Sequence, residues 1–161
     1  MKVSEIMSRP VASCATDADL MTAARMMWEK DCGVLPITDR ENRVVGVITD
    51  RDVCMAVARQ NRPAAEVATH DVMSSPVFTC FEADDIQASL ATMAVHQVRR
   101  LPVLDAHGRL RGLLSLDDVV LRAEEPTATM APAVSCADVV KTFRAICASR
   151  PLARHEAVAA P

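Results

Sequence analysis

Aromatic residues are nearly absent from this 161-residue chain, which has one tryptophan, three phenylalanines and no tyrosine. The core must therefore be built from aliphatic side chains, methionine and alanine. The chain also lacks a block of like charge, with 18 Lys and Arg against 21 Asp and Glu. A clustered basic face is typical of proteins that bind nucleic acids or acidic membranes, so we expect neither as a partner.

No apolar run is long enough to cross a bilayer, and we expect neither a signal peptide nor a transmembrane helix. The six cysteines are scattered and form no CxxC pair. This spacing favours buried, reduced thiols in a cytoplasmic protein over a zinc site or a disulfide scaffold. The four histidines form no evident cluster with cysteines or acids, so no metal is assigned.

The sequence does contain an internal repeat in which equivalent residues stand 66 positions apart. Met7 returns as Met73, each followed by Ser-x-Pro-Val. A Leu-Pro pair returns later in each copy, and so does a segment that begins with glycine and ends in aspartate and valine. Strict register without insertion implies that one fold is used twice. The Leu-Pro pairs are Leu35-Pro36 and Leu101-Pro102, and the later segments are Gly46–Val53 and Gly112–Val119.

Each copy predicts the element order β-α-β-β-α. Asp19 and Asp85 are equivalent candidates for helix N-caps, since apolar residues follow them at helical spacing. A polar turn joins the two later strands of each copy. We therefore expect an α+β fold of two pseudo-symmetric repeats packed through their sheets. The predicted strands are Val11–Cys14, Val34–Thr38, Val44–Thr49, Val77–Cys80, Leu101–Leu104 and Leu110–Ser115, and the closing helices are Asp50–Arg59 and Leu116–Ala123.

The repeats predict three segments: 1–66 with a connector, 67–123, and a remainder at 124–161. The remainder begins with a loose linker, and an amphipathic helix is predicted over 137–148. Its expected apolar face comprises Val139, Val140, Phe143, Ile146 and Cys147. One helix cannot bury its own face, so it must pack on the repeats, on a second chain or on a partner. The stretch from Pro151 to Pro161 is expected to be disordered.

The pattern G-x-x-[ST]-x-x-D ends each hairpin and opens the following helix. It is formed by Gly46, Thr49 and Asp52 in the first copy and recurs 66 residues later as Gly112, Ser115 and Asp118. Together with the Leu-Pro pairs, it strongly resembles the cystathionine-β-synthase (CBS) domain family. The tandem arrangement resembles the pair called a Bateman module, here standing alone without an attached catalytic domain.

A helix N-terminus with a hydroxyl and a carboxylate suits a sugar phosphate, since free N–H groups and the hydroxyl favour phosphate and a carboxylate can accept from a ribose diol. The resemblance implies that role for both signatures. It places Asp52 and Asp118 on the ribose, Thr49 and Ser115 near the phosphate, and adenine in an apolar slot. That slot lies beside Leu35, Pro36, Leu101 and Pro102, and the scarcity of rings suggests aliphatic walls.

Two arginines are further candidates for phosphate contact. Arg51 lies in the first signature, where the copy has Asp117, and Arg99 precedes the second Leu-Pro pair, where the first copy has Gly33. Each repeat would thus carry one basic residue that the other lacks, and the two sites would differ. The alternatives are that both arginines make ordinary surface ion pairs, and that both signatures are capping boxes that need no ligand.

Two functions are compatible with these features. The first is a regulatory sensor of an adenine nucleotide (AMP, ADP, ATP, or a relative such as NAD or S-adenosylmethionine), with no required cofactor. It would form a homodimer and signal to a separate effector protein. The second is a ligand-free module for dimerisation and interaction. An enzyme is not expected, because the sequence has no nucleophile–base pair, metal cluster or Walker-type loop.

Overall fold

The computed structural model describes residues 1–127 and 131–148. Within these residues, each repeat forms a three-stranded sheet with helices, and a further helix follows the second repeat. The strands are β1 (Cys14–Ala15), β2 (Val34–Thr38), β3 (Val44–Thr49), β4 (Cys80–Phe81), β5 (Arg100–Leu104) and β6 (Leu110–Ser115). The helices are α1 (Leu20–Glu29), α2 (Asp50–Gln60), α3 (Ile86–His96), α4 (Leu116–Val120) and α5 (Cys136–Cys147).

The two sheets have the same topology and register. In the first, β1 runs parallel to β2 and β2 is antiparallel to β3. The second sheet repeats this with β4, β5 and β6. Cys14 pairs with Ile37, and their equivalents Cys80 and Val103 also pair. The predicted α+β fold of two equivalent repeats is therefore confirmed.

Two predicted elements differ in length from those observed. The strands expected at Val11–Cys14 and Val77–Cys80 begin only at their last residue, because the preceding segments run along the opposite repeat instead of pairing with β2 or β5. The last helix of the second repeat ends at Val120, before the expected Ala123. The chain turns there so that the Glu124 N–H can donate to the carbonyl of Val134.

The segments that open the two repeats are exchanged. Val3 and Met7 are buried in the core of the second repeat, whereas Val67 is buried in the core of the first. The exchange is fixed by paired backbone hydrogen bonds between Ser8 and Leu113 and, in equivalent positions, between Ser74 and Val47. The repeats therefore pack as one intertwined unit. The boundaries 1–66 and 67–123 describe the sequence repeat and stay a prediction.

Both predicted helix caps are present. Asp19 accepts a hydrogen bond of 2.7 Å from the backbone N–H of Thr22, and Asp85 accepts one of 2.9 Å from that of Gln87. These bonds stabilise the charged carboxylates, so the pKa of Asp19 and the pKa of Asp85 lie below the ordinary value. The apolar residues that follow each cap begin α1 and α3.

Helix α5 packs on α3 and α4 of the second repeat, which decides among the three packing partners left open by the sequence. Val139 and Ile146 face the core, as expected. Val140 does not, since 57% of it is exposed, and Phe143 and Cys147 are exposed as well, whereas Thr142 is buried. The buried stripe therefore follows the 3.6-residue period, to which Val140 does not belong. The predicted disordered stretch from Pro151 to Pro161 lies outside the described residues.

The cysteines of the described chain are free thiols. Cys14 and Cys80 are buried in their respective cores, and burial raises the pKa of Cys80 to about 11. Cys54 and Cys147 are exposed, so the prediction of buried thiols is wrong for these two. In residues 1–127 and 131–148, no group of three or more His, Cys, Asp or Glu side chains could hold a metal ion. No helix of the same residues is long and apolar enough to cross a membrane.

Two candidate ligand clefts between the repeats

Each signature forms a complete capping box at the junction of strand and helix. Thr49 ends β3 and its hydroxyl donates to Asp52 Oδ2 at 2.7 Å, while the Thr49 backbone N–H donates to the same oxygen at 2.9 Å. The Asp52 N–H returns a bond of 3.2 Å to the Thr49 hydroxyl. The second junction repeats this between Ser115 and Asp118, with distances of 2.6, 2.8 and 3.1 Å. The capping interpretation is therefore confirmed at both junctions.

Both junctions open into clefts between the repeats. The first cleft has a volume of about 870 Å³ and combines the first signature with the opening segment and the end of helix α3 of the second repeat. The second cleft, of about 500 Å³, is its pseudo-symmetric equivalent. The first cleft is lined by Thr49, Arg51, Asp52, Ser74, Pro76, Val77, Phe78, His96 and Arg99, among others. The second is lined by Ser8, Pro10, Val11, Lys30, Arg100, Ser115, Asp117 and Asp118, among others.

The exchange of opening segments explains why each cleft draws on both repeats. Strand β3 pairs with Ser74 and strand β6 pairs with Ser8, so the segment after each serine crosses the opposite signature. In the second cleft this brings Ser8 Oγ to 3.0 Å from Asp118 Oδ1. Among the described residues, no hydrogen bond joins the equivalent pair, Ser74 and Asp52. The two clefts are therefore alike in architecture but different in polar contacts.

The basic candidates are distributed differently from the sequence-based expectation. Arg51 and Arg99 both line the first cleft, because helix α3 of the second repeat ends beside the first signature. Each repeat does carry one of these two arginines, but both side chains line the same cleft. In the second cleft, Asp117 takes the place of Arg51 and forms an ion pair of 3.8 Å with Arg100. Lys30 also lines the second cleft and adds a positive charge to it.

The two leucines predicted to flank a base do not line the clefts. Leu35 and Leu101 are completely buried in the repeat cores. Consecutive side chains of a strand point to opposite faces of the sheet. Both leucines therefore face the core, and the prolines that follow them face the other side of the sheet. Pro102 accordingly lines the first cleft. Pro36 is buried and is absent from the walls of either cleft.

The first cleft also contains an aromatic pair that sequence reasoning missed. Phe78 and His96 stack with ring centroids 3.6 Å apart and an angle of 14° between the planes. The expectation of purely aliphatic walls is therefore wrong for this cleft. The signal was hidden because the equivalent positions in the first repeat hold Ala12 and Lys30, so the pair is not part of the repeat.

Helix α5 also contributes to the first cleft. Ile146 lies in its wall, and the Arg99 guanidinium lies 5.3 Å from the centroid of the Phe143 ring. This distance is within the range of a cation–π interaction. The sequence shows an amphipathic helix here but not its seat, because α5 has no counterpart in the other repeat. One wall of the first cleft thus depends on a helix outside the repeats.

The two repeats each match a known protein family. The CBS domain family matches residues 3–59 and 69–125, one match for each repeat. The chain belongs to the CBS domain family. The predicted tandem CBS pair is thereby confirmed.

The chain is similar to several solved CBS structures. A CBS domain protein from Pyrobaculum aerophilum complexed with AMP is 27% identical, with a TM-score of 0.66 over 73% of this chain and 89% of that one. A CBS domain pair in complex with 5′-methylthioadenosine and S-adenosyl-L-methionine is 26% identical, also with a TM-score of 0.66, over 75% of this chain and 94% of that one. Hypoxic Response Protein I with two coordinated zinc ions is 27% identical, with a TM-score of 0.71 over 77% and 100%.

Curated relatives are longer than this chain. An uncharacterised protein of Methanopyrus kandleri is 29% identical over 74% of this chain and 61% of its own length. An inosine-5′-monophosphate dehydrogenase of Methanocaldococcus jannaschii is 30% identical over 79% of this chain and 24% of its own length. The chain thus spans less than two thirds of these relatives, and the likeness concerns the CBS pair.

Proposed function

We propose that this CBS pair is a regulatory sensor that binds an adenosyl ligand in the clefts between its repeats. The observation that carries the proposal is the equivalent placement of a hydroxyl, a carboxylate and a helix N-terminus in two open clefts. Similar CBS structures were solved with AMP and with S-adenosyl-L-methionine and 5′-methylthioadenosine. Binding needs no further cofactor.

Recognition would use the atoms that capping leaves available. Both hydrogen bonds that Thr49 donates to Asp52 go to the same oxygen, Oδ2. The other oxygen, Oδ1, is therefore available to a ribose hydroxyl. A charged acceptor makes a stronger hydrogen bond than a neutral one, which favours ribose over an apolar ligand. The stacked Phe78 and His96 offer the first cleft a flat surface for adenine. Leu35, Leu101 and Pro36 would not contact the adenine, since their side chains lie in the interior.

The two clefts would prefer different ligands. Arg51 and Arg99 give the first cleft two guanidinium groups, which suit the phosphates of AMP, ADP or ATP. Arg100 lines both clefts, but in the second cleft Asp117 repels phosphate and also holds Arg100 in an ion pair. The second cleft is therefore better suited to an adenosyl group without phosphate, such as S-adenosylmethionine, whereas NAD, which carries a pyrophosphate, would favour the first cleft.

Ligand binding would also have a regulatory consequence. A ligand changes an equilibrium only through unequal affinity for two arrangements, so the exchanged opening segments, which line both clefts, are the elements whose positions it would bias. We propose that a homodimer transmits this change to a separate effector protein in the cytoplasm, without catalysis by this chain. Exposed apolar side chains on the helices, among them Val95 on α3 and Val120 on α4, support an association surface.

A ligand-free interaction module is the second candidate. The complete capping boxes favour it, because they satisfy the signature residues without any ligand. The melting temperature in the presence of AMP, ADP, ATP, NAD and S-adenosylmethionine separates the two candidates. A ligand at about one hundred times its dissociation constant adds ~2.7 kcal/mol and raises the midpoint by several degrees. If all five leave the midpoint unchanged at millimolar concentration, the sensor is rejected in favour of the module.

A further inference from the structure

Helix α5 occupies a defined seat on the second repeat. Val139 and Ile146 pack against the buried cluster that contains Leu90, Met93, Leu116 and Val119. The end of the helix is held by Gln97, whose Nε2 donates to the carbonyls of Ala145 at 3.1 Å and Ala148 at 2.9 Å. The seat therefore combines an apolar floor with a hydrogen-bond donor at the helix C-terminus.

The first repeat presents the same seat, and no helix within residues 1–127 and 131–148 lies on it. A groove of about 460 Å³ lies between α1 and α2, and we call it the helix groove. Its residues stand 66 positions before the seat of α5, so that Ala24, Met27 and Val53 correspond to Leu90, Met93 and Val119. The helix groove is lined by Ala24, Met27, Trp28, Asp31, Cys32, Gly33, Asp50, Val53 and Cys54.

The side chains of the helix groove make it more accommodating than its counterpart. Ala24 and Cys54 are smaller than their equivalents Leu90 and Val120, which leaves room above the floor. Trp28, the only tryptophan of the chain, stands at the rim with 87% of its surface exposed. Exposed tryptophans beside apolar pockets are typical anchors of protein interfaces.

The polar end of the helix groove specifies a different occupant from α5. Asp31 stands where Gln97 holds the carbonyls of α5, and Asp50 lies beside it in the same groove. A carboxylate cannot donate to a helix carbonyl, and it repels the negative end of the helix dipole. A helix seated here like α5 would need lysine or arginine in its last turn to meet these two acids.

We propose that the helix groove binds an amphipathic helix of a partner protein, with an apolar stripe and a basic last turn. The helix would lie as α5 lies on the second repeat. The groove adjoins both clefts, since Cys32 also lines the second cleft and Gly33 also lines the first. It is thus a surface on which the proposed effector could sense ligand, and only this regulatory meaning rests on the proposed function.

The test uses the full chain without nucleotide and follows the emission of Trp28. The probe is a synthetic peptide of residues 135–148 with Cys136→Ser, Cys147→Lys and Ala148→Lys, held helical by a staple across its exposed face. A matched peptide carries Cys147→Glu and Ala148→Glu instead. We expect a saturable blue shift with the lysine peptide and at least about threefold weaker binding of the glutamate peptide, as for a partly exposed ion pair.

Three variants make the result specific to the helix groove. Cys54→Arg fills the groove and should abolish the shift, whereas Val120→Arg, at the equivalent exposed position of the second repeat, should preserve it. Asp31→Asn keeps a residue type that tolerates its positive φ of 50° and should reduce the preference for the lysine peptide. If Cys54→Arg fails to fold, Asp31→Asn still tests whether the peptide binds in the helix groove.

Several results would overturn the proposal. These are no saturable shift with the lysine peptide, equal affinity for both peptides, or unchanged binding by Cys54→Arg. A sedimentation experiment in which Cys54→Arg, but not Val120→Arg, turns a dimer into a monomer would assign the groove to a second copy instead. Because no nucleotide is present, none of these results depends on whether the clefts bind one.

Discussion

Ser8 Oγ donates a hydrogen bond of 3.0 Å to Asp118 Oδ1, joining the opening segment of the chain to the second signature. The other oxygen of Asp118 is held by the capping box. A ribose hydroxyl that reached Asp118 Oδ1 would therefore compete with Ser8. In the first cleft the equivalent serine makes no such bond among the described residues, so a ligand would meet no competitor at Asp52.

Ser8→Ala should strengthen ligand binding in the second cleft. Removing the competing hydroxyl recovers about 0.5–1.5 kcal/mol, a two- to tenfold gain in affinity. Calorimetry with S-adenosylmethionine in an Asp52→Asn background would report on this cleft alone. Ser74→Ala in the same background is the matched control and should change little. Weaker binding by Ser8→Ala would show that the serine contacts the ligand directly.

Asp117→Arg should shift the second cleft towards phosphorylated ligands. The change removes a repulsive carboxylate, releases Arg100 from its 3.8 Å ion pair and copies Arg51 of the first cleft. We expect ATP affinity in the second cleft to rise by at least tenfold, measured by calorimetry in the Asp52→Asn background. Asp117→Asn, which breaks the ion pair without adding charge, should give a smaller gain. Equal gains would mean that the added guanidinium does not contact phosphate.

Gly46→Ala should destabilise the exchange of opening segments. An added Cβ would lie 2.8 Å from Met73 Cγ and 3.1 Å from Met73 Cβ, closer than packed carbon atoms allow. Overpacking of this kind lowers the free energy of unfolding by about 1–3 kcal/mol. Chemical denaturation of the variant and of the unmodified chain would measure this loss. Met73→Ala in combination should cost less than the sum of the two single changes.

Gly33→Ala is the matched control for this substitution. Its nearest neighbour would be the flexible carboxylate of Asp50, at 3.2 Å, so the cost should stay below that of Gly46→Ala. If both substitutions were equally costly, close packing against Met73 would not be the reason for glycine at position 46.

Asp19→Asn should make the stability of the protein decrease less steeply as the pH falls. The hydrogen bond from the Thr22 backbone N–H lowers the pKa of Asp19 below its ordinary value of 3.8. The unfolded chain therefore takes up this proton first as the pH falls, and the stabilisation is full above about pH 4 and lost progressively below it. Asparagine caps helices about as well and does not titrate. Melting temperatures from pH 2 to 6 would show the difference, and Asp17→Asn is the control; an identical effect there would exclude the cap as the cause.

Much of the fold could be predicted because each local sequence pattern occurs in both repeats. Asp19 and Asp85 both precede helical spacing, and both cap helices. The exchange of opening segments could not be predicted, because Met7 and Met73 are equally apolar whichever repeat they enter. Nor could the shared location of Arg51 and Arg99, which follows from how the repeats face each other and leaves no trace in periodicity.

The candidate site was predictable in its chemistry and less so in its walls. Thr49 and Asp52 do meet at one helix N-terminus, since three-residue spacing there brings them together by local geometry. Leu35 was misplaced because strand alternation and the identity of the buried face are decided by tertiary packing. Phe78 and His96 were missed because a stacked pair from two distant segments has no local signature.

Calorimetry with AMP on four proteins tests the central claim most directly: the unmodified chain, Asp52→Asn, Asp118→Asn and the double variant. Asparagine keeps an acceptor oxygen for the capping box but loses the charge that a ribose diol would prefer. We predict that Asp52→Asn weakens AMP binding by at least tenfold, that Asp118→Asn has a smaller effect, and that the double variant shows no binding. AMP binding of unchanged affinity and stoichiometry in the double variant would contradict the account.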